Sequence, residues 1–192
     1  MAGKLEGKRI AILATDGVEQ VELTEPRAAV TREGARTELI SVSDDDIQAM
    51  NSDMEPADKF SVDKTAKDAA AADYDALILP GGTVNADRLR MDPDVLTFVQ
   101  EIFRAGKPVG VICHGPWPLV EAGLVEGRTL TSYPSLRTDI RNAGAKVVDE
   151  EVVTDNGLVS SRSPKDLPAF CAKIVEEFAD GAHRAPDQGA AV

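Results

Sequence analysis

Cysteine is scarce: the 192 residues hold only two, Cys113 and Cys171, too few for the disulfide scaffold of a secreted protein. They form no Cys-x-x-Cys pair, so no structural zinc is suggested, and nothing in the sequence calls for a metal or a cofactor. No stretch approaches the roughly 20 apolar residues of a membrane span, and the charged start, Met1 to Lys8, leads into no apolar segment of the kind that directs export. Basic residues are also short. Lys and Arg number 21 against 33 Asp and Glu, a net charge of −12 that repels phosphate backbones and anionic headgroups. Nucleic acid and membrane surfaces are therefore not expected partners, and a reducing cytoplasm is the expected location.

What is present reads as one α/β domain. At 20.4 kDa and 43% hydrophobic residues, the chain is long enough to bury a core and fits one domain more easily than two. Short runs rich in Val, Ile and Leu at Ile10 to Ala14, Leu39 to Val42, Ala76 to Leu79 and Val109 to Ile112 read as buried parallel strands. Helical patterns lie between and after them at Glu22 to Glu33, Pro93 to Ala105, Pro116 to Ala122, Ser135 to Ala143 and Leu167 to Ala179, with a short one at Ala66 to Ala71. This alternation predicts right-handed crossovers, a mostly parallel central sheet and helices on both faces. Near the end, Val147 to Val153 and Leu158 to Ser161 flank Asp155-Asn156-Gly157, a tight-hairpin signal. Residues 44 to 65, with Asp44-Asp45-Asp46, show no clear periodicity and read as an exposed, solvated excursion. The domain is expected to end near residue 180, with 181–192 a frayed tail.

The segment that carries chemistry is Lys107 to Leu119, KPVGVICHGPWPL. A buried strand runs into Cys113-His114-Gly115-Pro116, where Pro116 suits a first helical position. A thiol at a strand-turn-helix junction has the architecture of a nucleophile elbow, at the sheet edge where open α/β folds bind ligands. The helix N-terminus is expected to favour thiolate over thiol. His114 is a candidate acid or base, although a structural imidazole is the competing reading and adjacent turn residues need not point the same way. Cys171, on the apolar face of the last helix, reads as core, and His183 as solvent-exposed. At the same edge, Pro80-Gly81-Gly82 closes another strand. The amides of Gly81 and Gly82, with that of His114, are candidates for stabilising an oxyanion. After the first strand come Glu19 and Glu22, one helical turn apart; a carboxyl buried beside the thiol would stay protonated and donate to sulfur.

Together these segments resemble the DJ-1/PfpI superfamily, and most closely its PfpI-like branch, which includes bacterial general stress proteins. The likeness rests on five stretches in order: TDGVEQVEL (15–23), ALILPGG (76–82), GKPVGVICHGPW (106–117), GRTLTSYPSLRTDIRNAGA (127–145) and SSRSPKDLPAF (160–170). The resemblance implies a flavodoxin-like three-layer sandwich. By position it implies Cys113 as nucleophile, His114 as its partner, Glu22 as a protonated glutamate against the thiolate, and Gly82 with the His114 amide as oxyanion donors. It further implies an acid reaching His114 from a neighbouring subunit, best matched by Asp87, and hence at least a homodimer. Trp117 stands where the family has glutamine and would narrow the pocket or fill a core gap.

Three activities follow as expectations. The first is glyoxalase or deglycase chemistry, in which Cys113 attacks a 2-oxoaldehyde or its early adduct on protein. The second is an intracellular cysteine peptidase, and the third a non-enzymatic stress sensor that works by oxidation of Cys113.

Overall fold

The computed structural model describes residues 3–183. In chain order the elements are β1 (Arg9–Leu13), α1 (Gln20–Arg32), β2 (Arg36–Ser41), β3 (Ile47–Asn51), β4 (Glu55–Phe60), β5 (Lys64–Thr65), β6 (Ala76–Leu79), α2 (Thr83–Met91), α3 (Pro93–Arg104), β7 (Val109–Ile112), α4 (Pro116–Glu121), β8 (Thr129–Leu130), α5 (Arg137–Asn142), β9 (Lys146–Val147), β10 (Val152–Asp155), β11 (Leu158–Ser161) and α6 (Leu167–Asp180). Seven strands form the central sheet in the order β10-β11-β7-β6-β1-β2-β5. All its pairings are parallel except that of β10 with β11. This is the expected three-layer α/β sandwich.

The inner strands β1, β6, β7 and β11 are buried on both faces, as parallel strands between helical layers must be. Along β1 the side chains alternate: Ile10 and Ile12 join the core built with Leu23, Phe170, Ile174 and Phe178, whereas Ala11 and Leu13 join Phe98, Val99 and Ile102 on the opposite side. Helices α1 and α6 thus cover one face, and α3 is prominent on the other. Asp92 caps α3 by accepting from the amides of Asp94 and Val95, with Pro93 at the first helical position, as helix N-termini favour. The predicted hairpin forms where Asn156 and Gly157 both take positive φ, 45° and 82°, between antiparallel β10 and β11. That is the backbone an Asn-Gly turn supplies.

Four expectations are corrected. Residues 44–65 are not an irregular excursion: β3 and β4 pair as an antiparallel ribbon with a bulge between Gln48 and Met50, and β5 joins the main sheet. A helix absent from the sequence reading, α2, follows Gly82. The short helix expected at Ala66 to Ala71 is instead one 3-10 turn at Ala71–Asp73. Finally, the start of the supposed tail is docked. The His183 amide donates to the Gly106 carbonyl at 2.8 Å, and its Nε2 lies 2.6 Å from Glu177 Oε1, so this histidine is not free in solvent. The remainder of the expected tail, 184–192, lies outside the described residues.

The sheet order places β6 and β2 on opposite sides of β1, so the crossovers diverge there and leave a crevice at the carboxyl ends of the strands. The loops after β1, β6 and β7 all open into it.

Candidate active site

Cys113 follows β7 directly and has φ of +62°, a left-handed conformation that L residues other than glycine seldom adopt. The turn is held by the Cys113 amide donating to the Ser161 carbonyl at 3.1 Å and by the Tyr133 amide donating to the Cys113 carbonyl at 3.0 Å. The strained turn projects the thiol into a cleft of about 220 Å³ lined by Glu19, Glu22, Asp53, Cys113, His114 and Tyr133, among others. Cys113 is 6% exposed and His114 5%, and Glu22 is wholly buried.

The adjacent histidine does point the same way: Sγ of Cys113 lies 3.2 Å from Nδ1 of His114. The imidazole is stacked on Tyr133, with ring centroids 4.6 Å apart, and meets the edge of Trp117 at 5.6 Å. On its far side, Nε2 lies 3.3 Å from Thr83 Oγ1 and 3.2 Å from Ser135 Oγ. Burial lowers the His114 pKa, opposed by the negative charge of Asp53, so the ring is neutral at neutral pH.

Of the two acids after β1, Glu22 is the one facing the thiol. Its Oε2 accepts from the Gly81 amide at 2.8 Å, while Oε1 is buried without a hydrogen-bond partner, and the carboxyl lies beside the Cys113 thiol. Burial pushes the Glu22 pKa up to about 8, because the carboxylate would lose its water. A protonated Glu22 therefore has the neighbouring sulfur as an acceptor for its O–H. Glu19 instead braces the backbone. Its Oε1 and Oε2 accept from the amides of Ser52 and Asp53 at 3.1 and 3.3 Å, tying the β3–β4 turn to the start of α1.

The expected depression of the thiol pKa is not what the surroundings dictate. Burial pushes it up, and a charged Glu22 would add to that, whereas the amides of Gly82 and His114 pull it down. With Glu22 protonated, its repulsion vanishes and its O–H favours the thiolate instead. The thiol is thus held neutral beside a neutral imidazole, ready to lose its proton as it reacts.

The glycines divide their roles. The Gly81 amide is committed to Glu22 and is not an oxyanion donor. What Gly81 supplies is absence of a side chain, since a Cβ there would collide with Glu22 Oε2 and with the Cys113 side chain. The Gly82 and His114 amides face the Cys113 sulfur. Trp117 does not line the cleft; its Nε1 donates to Asp139 at 3.0 Å and its ring backs His114. Asp87 sits on the exposed side of α2 and makes no contact with its own chain's His114.

Sequence reasoning missed Thr83, Asn85 and Asp53. Asn85, fully buried on α2, accepts from the Thr15 amide at 2.8 Å and donates to the Pro80 and Gly81 carbonyls, fixing the β1 and β6 loops to each other. Asp53, at the hairpin turn, accepts from the Thr83 amide at 2.8 Å and from Thr83 Oγ1 at 2.7 Å. Among the described residues no group of three or more His, Cys, Asp or Glu is placed to hold a metal, and no helix is long and apolar enough to cross a membrane.

The DJ-1/PfpI family model matches residues 8–177. The chain belongs to the DJ-1/PfpI family. It is 40% identical over 164 residues to protein/nucleic acid deglycase 2 of Escherichia coli, covering 85% of this chain and 93% of the relative. It is 40% identical over 165 residues to general stress protein 18 of Bacillus subtilis, covering 85% and 94%. Among solved structures, Drosophila melanogaster DJ-1beta superposes with a TM-score of 0.81 at 25% identity, covering 90% of each chain. A two-domain DJ-1/ThiJ/PfpI-like and ferritin-like protein of Anabaena variabilis does so with a TM-score of 0.84 at 32% identity, covering 89% of this chain but 48% of that longer one. As a DJ-1/PfpI protein, the chain carries its thiol at the turn after β7, within the matched span.

Proposed function

We propose that this DJ-1/PfpI protein is a cysteine-dependent enzyme of stress protection, acting on 2-oxoaldehydes or on their early adducts with protein amines. The observation that carries this reading is the Cys113 thiol, held at positive φ and 3.2 Å from a neutral imidazole nitrogen, beside a carboxyl that burial keeps protonated. A nucleophile, a base and an acid share one cleft.

For methylglyoxal the steps balance without any oxidant. Sulfur adds to the aldehyde carbon as Nδ1 of His114 takes the thiol proton, and the new oxyanion, facing the Gly82 and His114 amides, gains a proton to give the hemithioacetal. Moving the C1 hydrogen to C2 through an enediol, with His114 and Glu22 exchanging protons, yields the lactoyl thioester. Water then releases lactate and restores the thiol. For an adduct on a protein amine, sulfur would displace the amine at the hemiaminal carbon, the C–N bond breaking as the amine leaves with the proton His114 took from the thiol, and the resulting hemithioacetal would follow the same route.

The cleft volume of about 220 Å³ lies below the usual 300–1,000 Å³ of drug-sized pockets. It suits a three-carbon carbonyl better than an extended peptide, which weighs against the peptidase reading. The E. coli relative is named for protein and nucleic acid substrates alike; a net charge of −12 favours the protein class here. The test is lactate formation from methylglyoxal by the purified protein. It is expected in wild type and absent in Cys113→Ser; equal rates in both would overturn the proposal.

A further inference from the structure

We propose that the acid orienting His114 is this chain's own Asp53, acting through the hydroxyl of Thr83. The inference rests on the reading above, that Nδ1 of His114 takes the Cys113 proton, and it supplies what that reading leaves open: why the lone pair is on Nδ1.

Asp53 is bound at both carboxylate oxygens, one by the Thr83 amide at 2.8 Å and the other by Thr83 Oγ1 at 2.7 Å. A carboxylate only accepts, so the Thr83 hydroxyl proton is committed to Asp53. Thr83 Oγ1 then faces Nε2 of His114, 3.3 Å away, with lone pairs alone, and Nε2 must bring the proton. Ser135 Oγ, 3.2 Å from the same nitrogen, is exposed and can turn its own proton to water, so it accepts as well. A neutral imidazole carrying its proton on Nε2 presents a bare Nδ1 to the thiol at 3.2 Å, the tautomer a base requires.

The relay is built into the fold. Asp53 has φ of +60° and Ser52 +54°, and Glu19 pins both their amides. The titratable groups lining the cleft with His114 or stacked on it are Asp53 from the hairpin, Glu19 from just before α1, Glu22 from its first turn, Cys113 from its own turn and Tyr133 from the loop after β8. Asp53 alone among them reaches Nε2 through a hydrogen-bonded chain. Asp53 and Thr83 are positioning residues, since they act on the Cys113 proton through His114. The orienting acid assigned here is supplied by the same chain.

Asp53→Asn makes a sharp test because the Thr83 amide needs an oxygen opposite it. The Asn amide nitrogen must then face Thr83 Oγ1 and donate to it. Thr83 would turn its proton to Nε2, and the imidazole would carry its own on Nδ1, against sulfur. In ¹⁵N-histidine spectra of the full chain, His114, separated from His183 with a His183→Gln reference, should show the Nε2–H tautomer in wild type and Nδ1–H in Asp53→Asn. Iodoacetamide alkylation of Cys113 followed from pH 6 to 9 should slow about tenfold or more near neutrality in Asp53→Asn, a part of the roughly 10²–10⁴-fold that a positioned general base supplies. Thr83→Val keeps the backbone amide and should slow alkylation likewise, whereas Thr83→Ser should restore it to within about twofold of wild type. An Nδ1–H tautomer in wild type would overturn the proposal, as would an Asp53→Asn protein with unchanged tautomer and alkylation, or a loss that follows Asp87→Asn instead. The two readings fail separately. Absence of lactate with tautomer inversion intact removes the carbonyl chemistry and leaves the relay governing Cys113. Lactate formation without inversion removes the relay alone.

Discussion

Glu22 shows how one buried carboxyl links reactivity to stability. Its pKa rises from 4.5 to about 8, so between those values the folded chain binds a proton that the unfolded chain releases. Where the native state binds more protons, stability falls as pH rises. The sign follows: the contribution is full below about 4.5 and is lost as pH climbs toward 8, at up to about 1.4 kcal/mol per unit of pH. Glu22→Gln has no such proton to lose. Urea midpoints at pH 5, 6.5 and 8 should therefore decline in wild type relative to Glu22→Gln, and parallel curves for the two proteins would show that the carboxyl is ionised in the fold. At this scale the sequence was most informative. Cys113 and His114 could be singled out because they follow a strand end at a turn, whereas Glu22, in the first turn of α1, was singled out by the family resemblance. The division of labour between Gly81 and Gly82 was hidden, because two adjacent amides in one turn point in different directions and only coordinates show which one meets Glu22.

Among the elements, the β3–β4 ribbon and α2 were missed for the same reason: neither carries a regular apolar pattern. In β3 only Ile47 and Ala49 are buried, and β4 has no fully buried residue. The bulge at Gln48 and Met50 shifts what alternation remains, and the acidic run just before it reads as solvated charge. Helix α2 buries Asn85 along with Ala86 and Leu89, so a polar side chain occupies its inward face. Both segments serve the site, where polar contacts matter more than buried area, and a hydrophobic periodicity cannot report them. Glu19 is the clasp between the ribbon and α1. Glu19→Ala should free the Ser52 and Asp53 amides, raising their hydrogen exchange about tenfold and reducing turnover several-fold. The melting temperature should change little, because the ribbon lies at the rim and bonds there contribute on the order of 1 kcal/mol. Unchanged exchange at residues 52 and 53 would show that the turn is held by other contacts.

For the whole molecule, the site and the core share β7. Gly110 lies in the middle of that strand, and a Cβ there would stand 2.6 Å from Ile174 Cγ2 and 3.2 Å from Phe170 Cζ; a glycine is needed for α6 to pack this closely. Three residues on is Cys113, so a displacement of α6 against β7 acts on the strand that aims the nucleophile. Gly110→Ala should destabilise by about 1–3 kcal/mol as overpacking, and Ile174→Ala by about 2–5 kcal/mol as a cavity. Each change relieves part of what the other does, since the added methyl occupies space the isoleucine vacates. The double variant should consequently lose less than the sum of the singles, by on the order of 1 kcal/mol, and should recover part of the Cys113 alkylation rate lost in Gly110→Ala. Strict additivity in the urea midpoints would mean that α6 and β7 relax independently, and that the packing of the sheet on α6 does not set the position of the thiol.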